Sequence, residues 1–412
     1  MNQRRSYSFL SLTAAVLIAL FADAALGQEV QRNVTVRDRA RPDFDPLGMR
    51  AGAFLIFPSI TVDGRYDDNV FATKNNEKDD FIAVIQPRVS VVSNFVRHAL
   101  GFTVFADIGR YASETDEDFE DFGARANGTL DITRNNRLVG SLGFTRGHEE
   151  RSSPETVDRV VNTPNKFDNY NATLAFHQDF NRFNFRLSGE AQRRSYINNS
   201  QQNRDRNIFA GFLRTGYFIS PRINAFVEGG YAVQKRDTAT DLLGRSRDSQ
   251  AWTARVGTEI DITGLVFGEV FVGYSRQTFD DSAFSSTDGF VYGVGVTWNP
   301  TGLTSLTLTG RGGFRPTDEA AASTNLQSTI GLRVDHELLR NLLIGGDIGY
   351  QRDDFIDANR TDNRIELGAD LTYLINRHFS VGAGYSFTTR DSDVSGAEFT
   401  RNVFTLSVNA RL

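Results

Sequence analysis

The chain contains no cysteine, so neither a disulfide framework nor a thiolate metal site can form. Beyond residue 27 it has no apolar run approaching the roughly 20 residues that a spanning helix needs, and its mean hydropathy is −0.35. A bundle of membrane helices is therefore excluded. No long basic block is present and the formal net charge is −6, which argues against nucleic acid as a partner. The five histidines, His98, His148, His177, His336 and His378, are scattered singly. They lack H-E-x-x-H spacing, and no G-x-S-x-G elbow occurs. No catalytic, cofactor-binding or metal-ligating constellation is expected, and no enzyme activity. From about residue 51 onward the helix period is also almost absent.

What is present begins with an export signal. Arg4 and Arg5 form a positive n-region, Phe9 to Phe21 is short and mostly apolar, and Ala25-Leu26-Gly27 offers small residues at a cleavage site. Residues 1–27 read as a cleaved signal peptide. Residues 28–50 are polar, contain two prolines and lack periodicity, so they read as a flexible periplasmic lead-in.

Residues 51–412 alternate with period two in segments of 11–16 residues rich in Gly, Phe, Tyr, Val, Leu and Thr. Eighteen such segments can be placed, from 54–70 to 400–412. Short connections such as "RNNR" (134–137), "SPR" (220–222) and "RN" (340–341) alternate strictly with long polar ones such as 72–80, 149–166 and 237–249. Alternation of this kind is expected when all hairpins of an up-and-down sheet send their long loops the same way, as bacterial outer-membrane barrels do. The predicted fold is all-β: a transmembrane antiparallel barrel of about 18 strands with short periplasmic turns and longer external loops.

Two faces emerge from the alternation. One collects Leu130, Leu187, Trp252, Val256, Val272, Ile348, Leu367 and Leu406 and is expected against outer-membrane lipid. The other collects Arg125, Arg186, Glu190, Arg214, Glu228, Arg255, Glu259, Glu269, Arg333, Asp347, Glu366 and Asp370, the candidate pore lining. Phe105, Phe212 and Phe226 fall on the same inner face. A barrel of this strand count is too wide for side chains alone to fill, so the charged face lines a wet interior. Acids outnumber bases in that set, which predicts modest cation preference.

Strands that leave a short turn tend to end in Gly, an aromatic and then Arg, as in "GFTR" (143–146), "GYSR" (273–276) and "GYQR" (349–352). Phe144, Tyr231, Tyr274, Phe314, Tyr350 and Tyr385 are thereby placed at one height below the long loops, as an interfacial aromatic girdle. The longest loop, 149–166, carries Glu149, Glu150, Glu155 and Asp158 and is the candidate constriction if it folds inward. "GHEE" (147–150) reads as a solvated loop edge. Asp67, Asp68 and Asn69 could supply oxygen ligands for Ca²⁺ but lack the spacing of a dedicated loop, so a strand-to-loop transition is the preferred reading.

"GMRAGAFLIFPSITVDGRYDDNVFAT" (48–73) resembles the opening of the putative β-barrel porin type 2 family of Gram-negative outer-membrane proteins. The resemblance rests on Phe54, Pro58 and Tyr66-Asp67-Asp68-Asn69. It implies an outer-membrane β-barrel inserted by the barrel assembly machinery. For several members it implies exopolysaccharide or capsule export with periplasmic partners. The last strand ends in Leu412 where such barrels typically end in an aromatic. Function is thus expected to be passive passage of solutes, with a surface anchor whose loops bind a partner as the alternative.

Overall fold

The computed structural model describes residues 33–155, 162–241, 243–262 and 264–412. The expected signal peptide, residues 1–27, lies outside them. Nineteen strands join in one sheet. They are β1 (Met49–Ala51), β2 (Phe54–Asp67), β3 (Asp80–Ser93), β4 (Ala99–Tyr111), β5 (Phe119–Asp131), β6 (Asn136–His148) and β7 (Lys166–Phe180). The chain continues through β8 (Phe183–Tyr196), β9 (Arg206–Ser220), β10 (Ile223–Arg236), β11 (Ser249–Ile262), β12 (Val266–Phe279) and β13 (Thr287–Thr301). It ends with β14 (Thr304–Arg315), β15 (Thr324–Leu339), β16 (Leu342–Ile356), β17 (Arg360–Leu374), β18 (Phe379–Ser392) and β19 (Phe399–Arg411). Among the described residues the only helices are two 3₁₀ turns, Thr115–Glu117 and Gln202–Arg204.

Every strand from β2 to β19 pairs antiparallel with its sequence neighbours, and β19 returns to β2 from Val403↔Asp67 to Arg411↔Ser59. The sheet therefore closes into an 18-stranded barrel and has no long free edge. Below Ser59 the neighbour of β2 changes. The small strand β1 takes over, pairing Met49↔Ile56 to Ala51↔Phe54 through a turn that uses the left-handed Gly52 (φ 60°). Pro58, which has no N–H to offer a ladder, stands where β19 ends and β1 begins. Its carbonyl accepts the Leu412 N–H at 3.2 Å.

The Tyr-Asp-Asp-Asn stretch turns out to be a closure latch. Asp67 pairs with Arg401, and Asp68 accepts the Asn402 backbone N–H and side-chain amide, each at 2.6 Å. Buried Asn69 donates to the Thr400 and Thr73 carbonyls at 2.8 and 2.7 Å. These contacts carry the β2–β19 seam beyond the point where the ladder stops. Their oxygens are engaged in that seam and not gathered around a common point, so the Ca²⁺ reading gains nothing.

Strand edges agree with the alternation to within three residues. The exception to the loop pattern is β16–β17. There the strands run on to Ile356 and Arg360, and a three-residue turn at 357–359 uses the left-handed Asp357 (φ 67°). The long-loop rim is low at that hairpin. Apolar side chains on alternate positions point away from the barrel axis and stay exposed, with Phe290 at 75% and Leu406 at 70%. In water such a band would be a large unfavourable surface; facing hydrocarbon it is the expected one.

Candidate functional site

The inner face is built by the opposite parity of each strand. Arg125 on β5, Arg186 and Glu190 on β8, Arg214 on β9, Glu228 on β10, Arg255 and Glu259 on β11 and Glu269 on β12 all point inward. So do Arg333 on β15, Asp347 on β16, and Glu366 and Asp370 on β17. The structure gathers most of them into two clusters. In the first, Arg214 reaches Glu228 at 2.8 Å, Glu259 at 3.0 Å and Glu269 at 2.6 Å, while Arg255 reaches Glu228 at 2.9 Å. In the second, Arg333 binds Asp335, Asp347 and Asp370 at 2.6–2.9 Å. Glu366 pairs with Arg364 at 2.7 Å.

Phe105, Phe212 and Phe226 do face inward. Each lies flat over a glycine of the next strand: a Cβ on Gly123 would come within 2.7 Å of the Phe105 ring, one on Gly230 within 2.5 Å of Phe212, and one on Gly257 within 2.5 Å of Phe226. The rings thus occupy wall space that no other residue could leave empty. Guanidinium planes cover them on the lumen side, Arg214 3.8 Å above Phe226 and Arg255 5.3 Å from Phe212.

The sequence-level surplus of acid does not survive this arrangement. Three arginines absent from the sequence-derived set, Arg37, Arg88 and Arg364, also stand on the inner face. With Asp335, which Arg37 and Arg333 both bind, they bring the set to eight arginines against eight carboxylates, a formal charge of zero for these residues, most of them held in mixed-charge clusters.

At the long-loop end, residues 149–155 fold inward across the mouth. Glu149 is buried and accepts from Arg204 at 2.6 Å, Tyr196 Oη at 2.7 Å and Asn165 at 2.9 Å. In "GHEE", His148 is packed 3.0 Å from Asp121 and Glu149 is buried, so the stretch is anchored in the loop base, while the Glu150 side chain, 3.9 Å from His148 Nε2, stays open to solvent. Arg151 pairs with Glu117 at 2.5 Å. On the far wall, Arg390 donates to the Ser152 carbonyl and Arg360 to the Pro154 carbonyl, each at 3.1 Å. Arg360 begins β17 beside the low rim, which leaves room for the loop to arrive. Glu155 accepts from Thr317 Oγ1 at 3.0 Å and the Asp318 N–H at 2.8 Å. Asp158 lies outside the described residues.

Burial and the nearby Asp318 carboxylate push the Glu155 carboxyl up to about 7. Burial also acts to raise Asp318, but Arg206, Arg204 and Arg236 outweigh it and hold that carboxyl well below the usual range. Their guanidiniums approach to 3.1, 3.1 and 2.7 Å.

At the short-turn end the expectation of a flexible lead-in fails for residues 33–45. This segment runs along the inner rim as a strap. Asn33 donates to Asp261 at 3.0 Å, the Val36 N–H to Ser305 Oγ at 2.7 Å, and Arg37 binds Asp335 at 2.9 Å and Asp370 at 2.5 Å. Burial works against the Arg37 cation, yet its two aspartates raise its proton affinity overall. Buried Arg41 binds Glu337 at 2.8 Å. Further along, Arg377 and Arg411 donate to the Pro42 and Phe44 carbonyls at 2.9 and 3.0 Å. Sequence reasoning missed this element. The signal that could have found it is the run Arg37, Arg39 and Arg41 at alternate positions, of which Arg37 and Arg41 meet the acidic inner ends of β15 and β17 while Arg39 donates to the Gly302 carbonyl.

All six girdle residues, Phe144, Tyr231, Tyr274, Phe314, Tyr350 and Tyr385, face outward near the long loops. The tyrosines follow one rule. Each ring opposes a hydrophobic residue on the next strand, and its hydroxyl donates to a polar side chain two residues before that partner. Tyr231 opposes Trp252 and bonds Gln250 at 2.7 Å; Tyr350 opposes Ile365 and bonds Asn363 at 2.7 Å; Tyr385 opposes Phe404 and bonds Asn402 at 2.8 Å. Tyr274 does the same with Asp288, and so does Tyr66 with Asp79. The ring stays in the apolar layer while the hydroxyl reaches the polar one. A second outward belt, unforeseen, lies near the short turns, where Phe183 packs on Tyr217 at 5.1 Å between centroids and Trp298 and Phe379 are exposed.

Two aromatic belts, a closed antiparallel sheet and an ionic interior converge with the sequence comparison. The putative beta-barrel porin 2 family matches residues 41–412. The chain belongs to that family. It is a porin-like outer-membrane β-barrel channel. No curated protein matches the chain. Among solved structures, OpdO of Pseudomonas aeruginosa is similar at 16% identity and TM-score 0.45, over 87% of this chain and 97% of that one. OccAB2 of Acinetobacter baumannii is similar at 10% identity and TM-score 0.48, over 88% and 99%. The siderophore receptor PirA of Pseudomonas aeruginosa is similar at 8% identity and TM-score 0.39, over 90% and 81%. At these identities nothing about solute or partner passes to this chain.

Proposed function

We propose that this barrel is a passive conduit for small hydrophilic solutes, narrowed at the long-loop mouth by residues 149–155 and at the short-turn mouth by residues 33–45. The observation that carries the reading is the inward charged lining of a closed barrel too wide to be filled by its own side chains. Arg125, Glu190, Arg255, Asp347 and the other inward residues named above act as its lining, and Glu149, Glu150 and Glu155 belong to its constriction. Export through a signal peptide at residues 1–27 and insertion by the barrel assembly machinery complete the reading, with outer-membrane lipid against the apolar band.

Balanced charge in the lining supports weak ion selectivity in place of the cation preference expected from the sequence. Polysaccharide export with periplasmic partners gains no support: a polymer would have to displace both crossing segments. A surface anchor gains none either, because residues 149–155 and the 317–322 segment pack on each other and on the rim. Liposome swelling tests the proposal. Vesicles carrying the protein should swell in arabinose, more slowly in a trisaccharide, and not in dextran. The absence of swelling in every solute would overturn it.

A further inference from the structure

Many inward arginines of this barrel, such as Arg214 and Arg333, touch a carboxylate. Arg88 and Arg125 do not, and they share an aromatic ring. On β3 and β5 they flank one ring, that of Phe105 on β4, with the guanidinium carbons 5.5 and 5.4 Å from its centroid. Register explains the meeting: Arg88 directly opposes Phe105, and Arg125 opposes Thr103, two residues along the same strand. Among the described residues neither guanidinium lies within ion-pair distance of a carboxylate. The one inward acid beside them, Asp107, is held by Gln86 Nε2 at 3.0 Å.

Two like charges sharing one ring repel each other, and their cation–π contacts with the ring do not remove that repulsion. The arrangement is fixed all the same, because Phe105 is seated over Gly123, where a Cβ would meet the ring at 2.7 Å and the Phe144 carbonyl at 2.6 Å. Apart from Asp107, the surroundings are rich in uncharged hydrogen-bonding groups: Ser90 bonds Thr103 at 3.1 Å, Ser141 bonds Thr173 at 2.7 Å, and Asn127 lies over Gly101. On the opposite wall the same arginine chemistry is neutralised by Glu228, Glu259 and Glu269.

We infer that Arg88, Phe105 and Arg125 form an oxyanion-binding station on the lumen wall, taking a hydroxyl-rich small anion. The two forks bind its carboxylate or phosphate oxygens, and the hydroxyl and amide wall beside them takes its hydroxyls. The inference rests on the conduit reading only for the route by which the anion arrives.

Calorimetric titration of the detergent-folded barrel with gluconate and with glucose 6-phosphate tests the station without requiring conduction. Saturable binding of either anion, weakened at least tenfold in the R88Q/R125Q variant and less in R88K/R125K, is the expected result. Binding of gluconate alone identifies a carboxylate site, and of glucose 6-phosphate alone a phosphate site; both support the station. No binding of either to the wild-type barrel, or equal binding to R88Q/R125Q showing native heat-modifiable migration, overturns it. A barrel that binds but does not swell vesicles would sink the conduit and leave the station standing.

Discussion

Replacing Arg41 by alanine should release the strap at the short-turn mouth while leaving the barrel folded. The Arg41 side chain is 3% exposed and that of its partner Glu337 6%. One guanidinium nitrogen binds Glu337 at 2.8 Å and the Val36 carbonyl at 2.7 Å; the other donates to the Arg37 and Arg39 carbonyls at 3.3 and 3.1 Å. The residue therefore holds the strap's own turn in shape as well as tying it to the wall. Alanine removes all four bonds and leaves Glu337 facing only Arg340, 3.5 Å away on a largely exposed side chain. Breaking one partner out of a buried pair costs about 3–5 kcal/mol, or a shift of roughly 10²–10³ in the docked-to-free ratio. What remains, chiefly Arg37 with Asp335 and Asp370, is partly exposed and screened. It must also offset the ordering of the strap backbone at about 1–2 kcal/mol per residue. Limited trypsin digestion of the folded protein reads the outcome. The variant should be cut rapidly after Arg37 and Arg39, and the wild type slowly. Gly345→Leu should act the same way from the wall side, since a Cβ there would come within 2.6 Å of Asp370 and 2.8 Å of Arg37. Equal cutting rates for wild type and both variants, with heat-modifiable migration intact, would refute the reasoning.

The remaining predictions concern the opposite mouth and the seam. Because the Glu155 carboxyl is raised in the folded loop, to about 7, its contribution to loop docking is full below the ordinary glutamate range and is lost as pH rises through 7. Current noise from loop motion should therefore be low at pH 5.5 and higher at pH 8, and Glu155→Gln should make the two traces alike; a wild-type trace insensitive to pH would contradict the assignment. Asp318, held far below the usual range, stays ionised throughout this window. Asp67→Asn should weaken the β2–β19 seam by leaving Arg401 without its carboxylate, lowering the temperature at which the heat-modifiable band converts; an unchanged conversion temperature would show that the ladder alone closes the barrel.

Strand number, order and facing were legible because a half-buried strand declares itself twice, in period-two alternation and in the polar joints that bound it. A one-residue slip would have turned every lining residue outward. Residues such as Leu187 beside Arg186 fixed the parity segment by segment. Other features are cross-barrel events between positions hundreds of residues apart, and periodicity carries no trace of them. The strap is one: Arg37 meets Asp370 at a sequence separation of 333. The balance of charge is another, since counting acids and bases along strands omitted Arg37 and Arg88. The Tyr66–Asn69 stretch was visible as a motif, but its task needed Arg401 and Asn402 on the last strand to be seen.

Single-channel conductance of the refolded protein in a planar bilayer, with a tenfold salt gradient across it, tests the conduit most directly. The account predicts discrete steps with a reversal potential near zero in the wild type, and a shift toward cation selectivity in R88Q/R125Q as two positive charges leave the lining. Silence from a barrel with native β-rich circular dichroism, or strong selectivity of either sign in the wild type, would contradict it.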